Sequence, residues 1–132
     1  MPTHLPIVEC NRLIQYYPMN EKSPIEKGAV HITVEIIEYI PDAVVSRVII
    51  KKTTGNITAT SVATGEEIVD RTSPFDIYVQ IIHGAAELVI NDKSLYIKLG
   101  EGIIIPAHAK HSFFAKEQFK MICTVIKSGY EE

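Results

Sequence analysis

Residues 77–100 read IYVQIIHG AAELVI ND KSLYIK LG, and the fold is decided in this stretch. Successive side chains of an extended chain point to opposite faces. Ile77, Val79 and Ile81 therefore fall on one side, and Tyr78, Gln80 and Ile82 on the other. In the next runs Leu88 and Ile90 share a face, and Leu95, Ile97 and Leu99 separate from Ser94, Tyr96 and Lys98. A period of two with one apolar face is the pattern of an antiparallel sheet that is solvated on one side. Asn91-Asp92 joins two of the runs, and both residues tolerate the positive φ of a tight hairpin.

The same pattern extends in both directions. Strand-like runs are expected at 31–40, 43–52, 57–63, 66–70, 77–82, 85–90, 94–99, 102–105, 111–115 and 119–127. Between them lie turn residues such as Thr54-Gly55-Asn56, Thr64-Gly65, His83-Gly84 and Lys116-Glu117-Gln118. Helix has little room, and the spacing is that of an all-β sandwich or barrel. Closing the sheet would remove its vulnerable edges. Residues 1–28 differ: they carry Pro2, Pro6, Pro18 and Pro24, with only Ile7 to Tyr17 able to hold helical turns. A chain of 132 residues fits one domain. The expected organisation is an N-terminal arm over 1–28 and a β-barrel over 29–132.

Composition narrows the partners. The formal net charge is −3, with charged residues scattered singly, so there is no electrostatic footprint for a phosphate backbone and nucleic acid is not expected. No run is long enough to cross a bilayer; the densest apolar segment, Ile103 to Ile105, stops at Pro106. No membrane partner is expected, and the expected location is cytoplasmic, where Cys10 and Cys123 would remain thiols and act as packing residues. Tyr78 and Ile82, with Ile122 and Ile126 late in the chain, make the second sheet face half apolar. A homodimer is the expected assembly.

Two blocks carry a resemblance. The first runs from Gly65 through Arg71-Thr72-Ser73-Pro74-Phe75-Asp76 to Gly84. The second is Gly100-Glu101-Gly102-Ile103-Ile104-Ile105-Pro106-Ala107-His108-Ala109-Lys110-His111. Together they resemble the two motifs of the cupin superfamily, and the likeness spans roughly 43–127. The resemblance implies a double-stranded β-helix, or jelly-roll, barrel. Gly100, Pro106 and His111 fit the second motif, with His108 where the family often has glycine. Gly84 closes the first motif.

The metal ligands that the family implies are largely missing. Counting back from Gly84, its two histidine positions fall on Arg71 and Ser73, and its glutamate position on Ile77. One imidazole, His111, does not make a site for iron, manganese, zinc or nickel, which need several converging donors. Arg71 would repel a divalent ion and has no lone pair to offer. No cofactor is therefore expected. The alternative is a divalent transition metal in a rebuilt site from His111, His108 and Asp76, which would make the chain a metal-dependent dioxygenase or isomerase. Recruiting Asp76 would require a bulge, because it lies one residue out of phase with Ile77. Without metal, Arg71, Ser73, His111, Phe113 and Ile77 are the expected lining of a pocket for a small polar or anionic metabolite. Whether any reaction is catalysed stays open at this point, since cupin barrels serve binding and catalysis alike.

Overall fold

The computed structural model describes residues 24–129. The first 23 residues of the expected arm, including the 7–17 stretch and Cys10, lie outside them.

Among the described residues nine strands follow in chain order: β1 (Val44–Lys52), β2 (Gly55–Val62), β3 (Glu67–Arg71), β4 (Ile77–His83), β5 (Ala85–Ile90), β6 (Lys93–Lys98), β7 (Gly102–Ile105), β8 (His111–Phe114) and β9 (Phe119–Ile126). They form a five-stranded sheet, β1-β2-β9-β4-β7, and a four-stranded sheet, β3-β8-β5-β6, and every pairing is antiparallel. One core lies between them. Val44, Val62, Val79, Ile81, Ile105, Phe119 and Met121 enter it from the larger sheet, and Ile68, Ala86, Leu88, Ile97 and Phe113 from the smaller. Burial of these alternating side chains is the main force holding the sheets together. Among the described residues no helix is long and apolar enough to cross a membrane.

The turns bear out their residue types. Asn91 and Asp92 both have positive φ, 49° and 69°, as a type I′ hairpin demands. Gly84 has φ 74°, and a Cβ there would collide with the backbone carbonyl of Gln118. Leu99 is a correction: β6 ends at Lys98, and Leu99 sits exposed in the following turn instead of on the core face.

The strand expected at 31–40 is a second correction. This segment holds only a 3-10 turn, Thr33–Glu35, and then crosses the outer face of the larger sheet as a strap. Four successive strands each supply a side chain to it. Arg47 of β1 donates to the Ile36 carbonyl (2.8 Å), Ser61 of β2 to the Glu38 carbonyl (2.9 Å) and Lys120 of β9 to the Val34 carbonyl (2.7 Å). The Tyr39 hydroxyl meets His83 Nδ1 of β4 at 2.7 Å. Backbone groups that a strand would satisfy with a neighbouring strand are here met by sheet side chains. Ile36 and Ile37 are consecutive and both buried, with Ala43, Val45 and Ala59, in a small outer cluster, an arrangement that a period of two does not allow.

Candidate functional site

The site begins with an irregularity in β3. Ile68 stands opposite Phe113 and Arg71 opposite His111, so three steps along β3 match two along β8. That is a β-bulge, and Asp70 within it has φ 54°. The extra residue reverses the alternation after Ile68. In a regular strand Asp70 would share the inner face with Ile68 and Arg71 would point outward. With the bulge, Arg71 lies directly across from His111, and directly opposed residues share a face. Asp70 is instead exposed, its N–H donating to Ser112 Oγ (2.9 Å) and its carboxylate 3.9 Å from Lys110.

His111 and Phe113 are two residues apart on β8, both buried, with ring centroids 6.0 Å apart in an edge-on arrangement. His111 retains 6% of its exposure. Its Nδ1 lies 3.2 Å from the Ala109 carbonyl, which accepts only, so Nδ1 carries the proton and Nε2 presents a lone pair. No hydrogen bond from Nε2 reaches a described residue. Burial holds the His111 pKa below its ordinary value, and the positive charge of Arg71 pushes it the same way, against the opposing pull of the Ala109 carbonyl. Arg71 is half-buried and makes no ion pair among the described residues.

The other expected lining residues are less closely grouped. Phe113 is a core side chain that also packs against Phe119. Ile77 is half-buried against the core from β4, in the other sheet. The Ser73 hydroxyl is tied into its own turn, donating to the Phe75 carbonyl (3.1 Å) and accepting from the Phe75 N–H (3.0 Å). Its carbonyl accepts from the His108 N–H at 2.6 Å. Surface depressions lie elsewhere: one of about 490 Å³ between residues 24–36 and Arg47, and one of about 350 Å³ beside Tyr78 and Gly102. Neither is lined by Arg71 or His111. Sequence reading also missed the Tyr39–His83–Lys120 cluster under the strap, where Lys120 Nζ sits 4.9 Å from the Tyr39 ring centroid. No spacing rule links residues so far apart in the chain.

No family model matches the chain, and no curated protein matches it. Solved structures do. A conserved protein of unknown function from Streptococcus pyogenes is 30% identical, with a TM-score of 0.75 over 80% of this chain and 92% of that one. A cupin 2 conserved barrel domain protein from Leptotrichia buccalis is 28% identical, with a TM-score of 0.69 over 71% of this chain and 46% of that one. A cupin superfamily protein from Desulfitobacterium hafniense is 22% identical, with a TM-score of 0.71 over 80% and 95%. This chain has the cupin superfamily fold.

Within that cupin frame the residues present do not fit a transition metal. Arg71, Ser73 and Ile77 offer a cation, a hydroxyl already engaged in its turn and an alkyl group, which leaves His111 as the single imidazole donor. The alternative set does not converge either. His108 is exposed, with φ 71°, a conformation that accounts for glycine being common at this place in the motif. Asp76 is exposed, and its Oδ1 accepts from the Ala107 N–H at 2.8 Å, bracing the loop after β7. Among the described residues no group of three or more His, Cys, Asp or Glu is placed to hold a metal ion.

Proposed function

We propose that this cupin-fold protein binds a small polar or anionic metabolite at the Arg71–His111 pair. The observation that carries the reading is the pairing itself: a half-buried guanidinium, with no ion pair among the described residues, opposite a buried imidazole whose Nε2 lone pair meets no described donor. A buried polar atom without a partner is costly, and a ligand would relieve both deficits. The guanidinium fork takes a carboxylate, sulfonate or phosphate oxygen by charge-assisted hydrogen bonds. Nε2 accepts a hydrogen from a hydroxyl or N–H on the same molecule. The interior beyond is filled by Phe113, Leu88 and Phe119, which limits the ligand to a small one.

Thermal shift with a panel of small carboxylates, sulfonates and phosphates tests the proposal. A compound that binds only the folded state at a hundred times its Kd stabilises it by about 2.7 kcal/mol. The expected result is a rise in Tm with some members of the panel, lost in Arg71→Met while the variant keeps its far-UV circular dichroism. A panel that leaves the wild-type Tm unmoved, or shifts that persist in Arg71→Met, would overturn it.

A further inference from the structure

The inner face of the larger sheet changes character along its length. At one end Val44, Val62 and Phe119 stand side by side, all fully buried. One step further the cross-strand row reads Ser46, Thr60, Met121 and Ile81, and the next reads Val48, Thr58, Cys123, Val79 and Ile103. The positions on β9, β4 and β7 hold no hydroxyl, whereas β1 and β2 supply three. Ser46 Oγ and Thr60 Oγ1 are 3.0 Å apart, and Thr58 Oγ1 donates to Asn56 Oδ1 of the following row at 3.5 Å. A cross-strand hydroxyl pair is an ordinary sheet contact. Three hydroxyls and an amide on the face that also carries Val62 and Phe119 are not, because polar groups are costly at core positions.

Two chain reversals bring this wall over the Arg71–His111 pair. β2 turns into β3 across residues 63–66 and β8 into β9 across 115–118, each time passing from one sheet to the other. The step from Ile68 to Arg71 on β3 therefore follows the direction from Val62 to Thr60 and Thr58 on β2. The step from Phe113 to His111 on β8 follows that from Phe119 to Met121 and Cys123 on β9. The Phe113 and Phe119 rings, with centroids 6.2 Å apart, fix the starting point. Beyond it the sheets leave a gap. Val48 lies on the inner face and is 51% exposed. Burial pushes the Cys123 thiol up to about 12, yet the residue keeps part of its exposure, as a deep side chain does when it borders an open space. Facing sheets stand about 10 Å apart, and side chains as short as serine and threonine leave room between them for a small molecule.

We propose that the ligand of the Arg71–His111 pair is a short hydroxylated acid, with its anionic group on Arg71 and its hydroxyls on the wall of Ser46, Thr58, Thr60 and Asn56. The inference rests on the Arg71–His111 reading and adds the chemistry of the facing sheet. Hydroxyl and amide side chains both donate and accept, so the wall complements ligand groups that do both. Carbon-bound hydroxyls have that property and alkyl groups do not. A second anionic group would find no counter-charge among these four residues. An alkyl acid would displace water from the wall without replacing its hydrogen bonds, which lowers affinity.

Isothermal titration calorimetry on the full 132-residue chain tests this with matched pairs: glycerate against propionate, gluconate against hexanoate, and glycerol phosphate against propyl phosphate. At least one hydroxylated member should bind about tenfold or more tighter than its alkyl partner, the worth of one to three net hydrogen bonds. Thr58→Val with Thr60→Val preserves side-chain shape and should reduce the hydroxylated member to the affinity of its alkyl partner, which itself stays unchanged. Thr58→Val alone, at a half-buried position, should remove at least about threefold and is the variant to read if the double one loses its circular dichroism. Arg71→Met should abolish binding of both members. Equal affinity within every pair, or a preference that survives the threonine variants, would overturn the hydroxyl wall and leave Arg71–His111 as the site. A preference that persists in Arg71→Met would overturn both readings. Binding by no member of any pair would overturn the wall together with carboxylate and phosphate capture by Arg71.

Discussion

His111 is a buried imidazole whose surroundings favour its neutral form. Its pKa in the folded state is lowered, chiefly by burial, whereas an unfolded histidine titrates near about 6.5. A lowered histidine pKa means that the unfolded chain takes up the proton first. The contribution is fully present above the unfolded value and is lost as pH falls from there toward the folded one. Urea midpoints should therefore drop from pH 7.5 to pH 5.5, and His111→Gln should flatten that part of the profile; equal slopes in both proteins would contradict the assignment. Asp70 invites a second measurement. Its left-handed backbone creates the bulge that turns Arg71 inward. Asp70→Gly should be tolerated, while Asp70→Val should cost about 1–2 kcal/mol and disturb any Arg71-dependent binding. The bulge itself was not legible in the sequence. Alternation predicts a face only within an unbroken strand, and one aspartate in an unusual conformation leaves no trace in hydrophobic pattern.

At the scale of elements, strands were legible wherever one face was buried and the other wet, as in β4 and β6. The hairpin between β5 and β6 was legible from two residues, Asn91 and Asp92. Because both adopt positive φ, Asp92→Gly removes a Cβ penalty and should stabilise the protein by about 0.5–1 kcal/mol in chemical denaturation. Gly84→Ala runs the other way. It adds a Cβ against the Gln118 carbonyl at a φ of 74°, and should cost at least about 2 kcal/mol. The strap was not legible as a strap. Its apolar residues imitate a strand, and the side chains that fix it, Arg47, Ser61, Lys120 and His83, come from four distant strands. The candidate site was legible as residue types at motif spacings, but Ser73 shows the limit, since a hydroxyl in the right register is consumed by its own turn.

For the molecule as a whole, the question is whether the fold needs a metal to hold its two sheets together. The core answers on its own terms: Val44, Val62, Val79, Ile81 and Phe119 from one sheet face Leu88, Ile97 and Phe113 from the other. All are apolar, and burial of each large side chain supplies about 1.5–3 kcal/mol. At the motif positions where the resemblance implies metal ligands, the chain places a guanidinium opposite the imidazole of His111, the one buried histidine among the described residues. A divalent ion there would be repelled by Arg71 and would have to compete for a single Nε2 lone pair, since Nδ1 is spent on Ala109. Stripping the protein with a chelator should therefore leave Tm and circular dichroism unchanged. Adding zinc, manganese, iron(II) or nickel to the stripped protein should not raise Tm, because a site with one donor cannot distinguish the folded chain from the unfolded one strongly enough. A saturable rise with any of these ions that disappears in His111→Gln would mean that donors converge on His111 after all, and the anion-binding reading would give way to a metal centre.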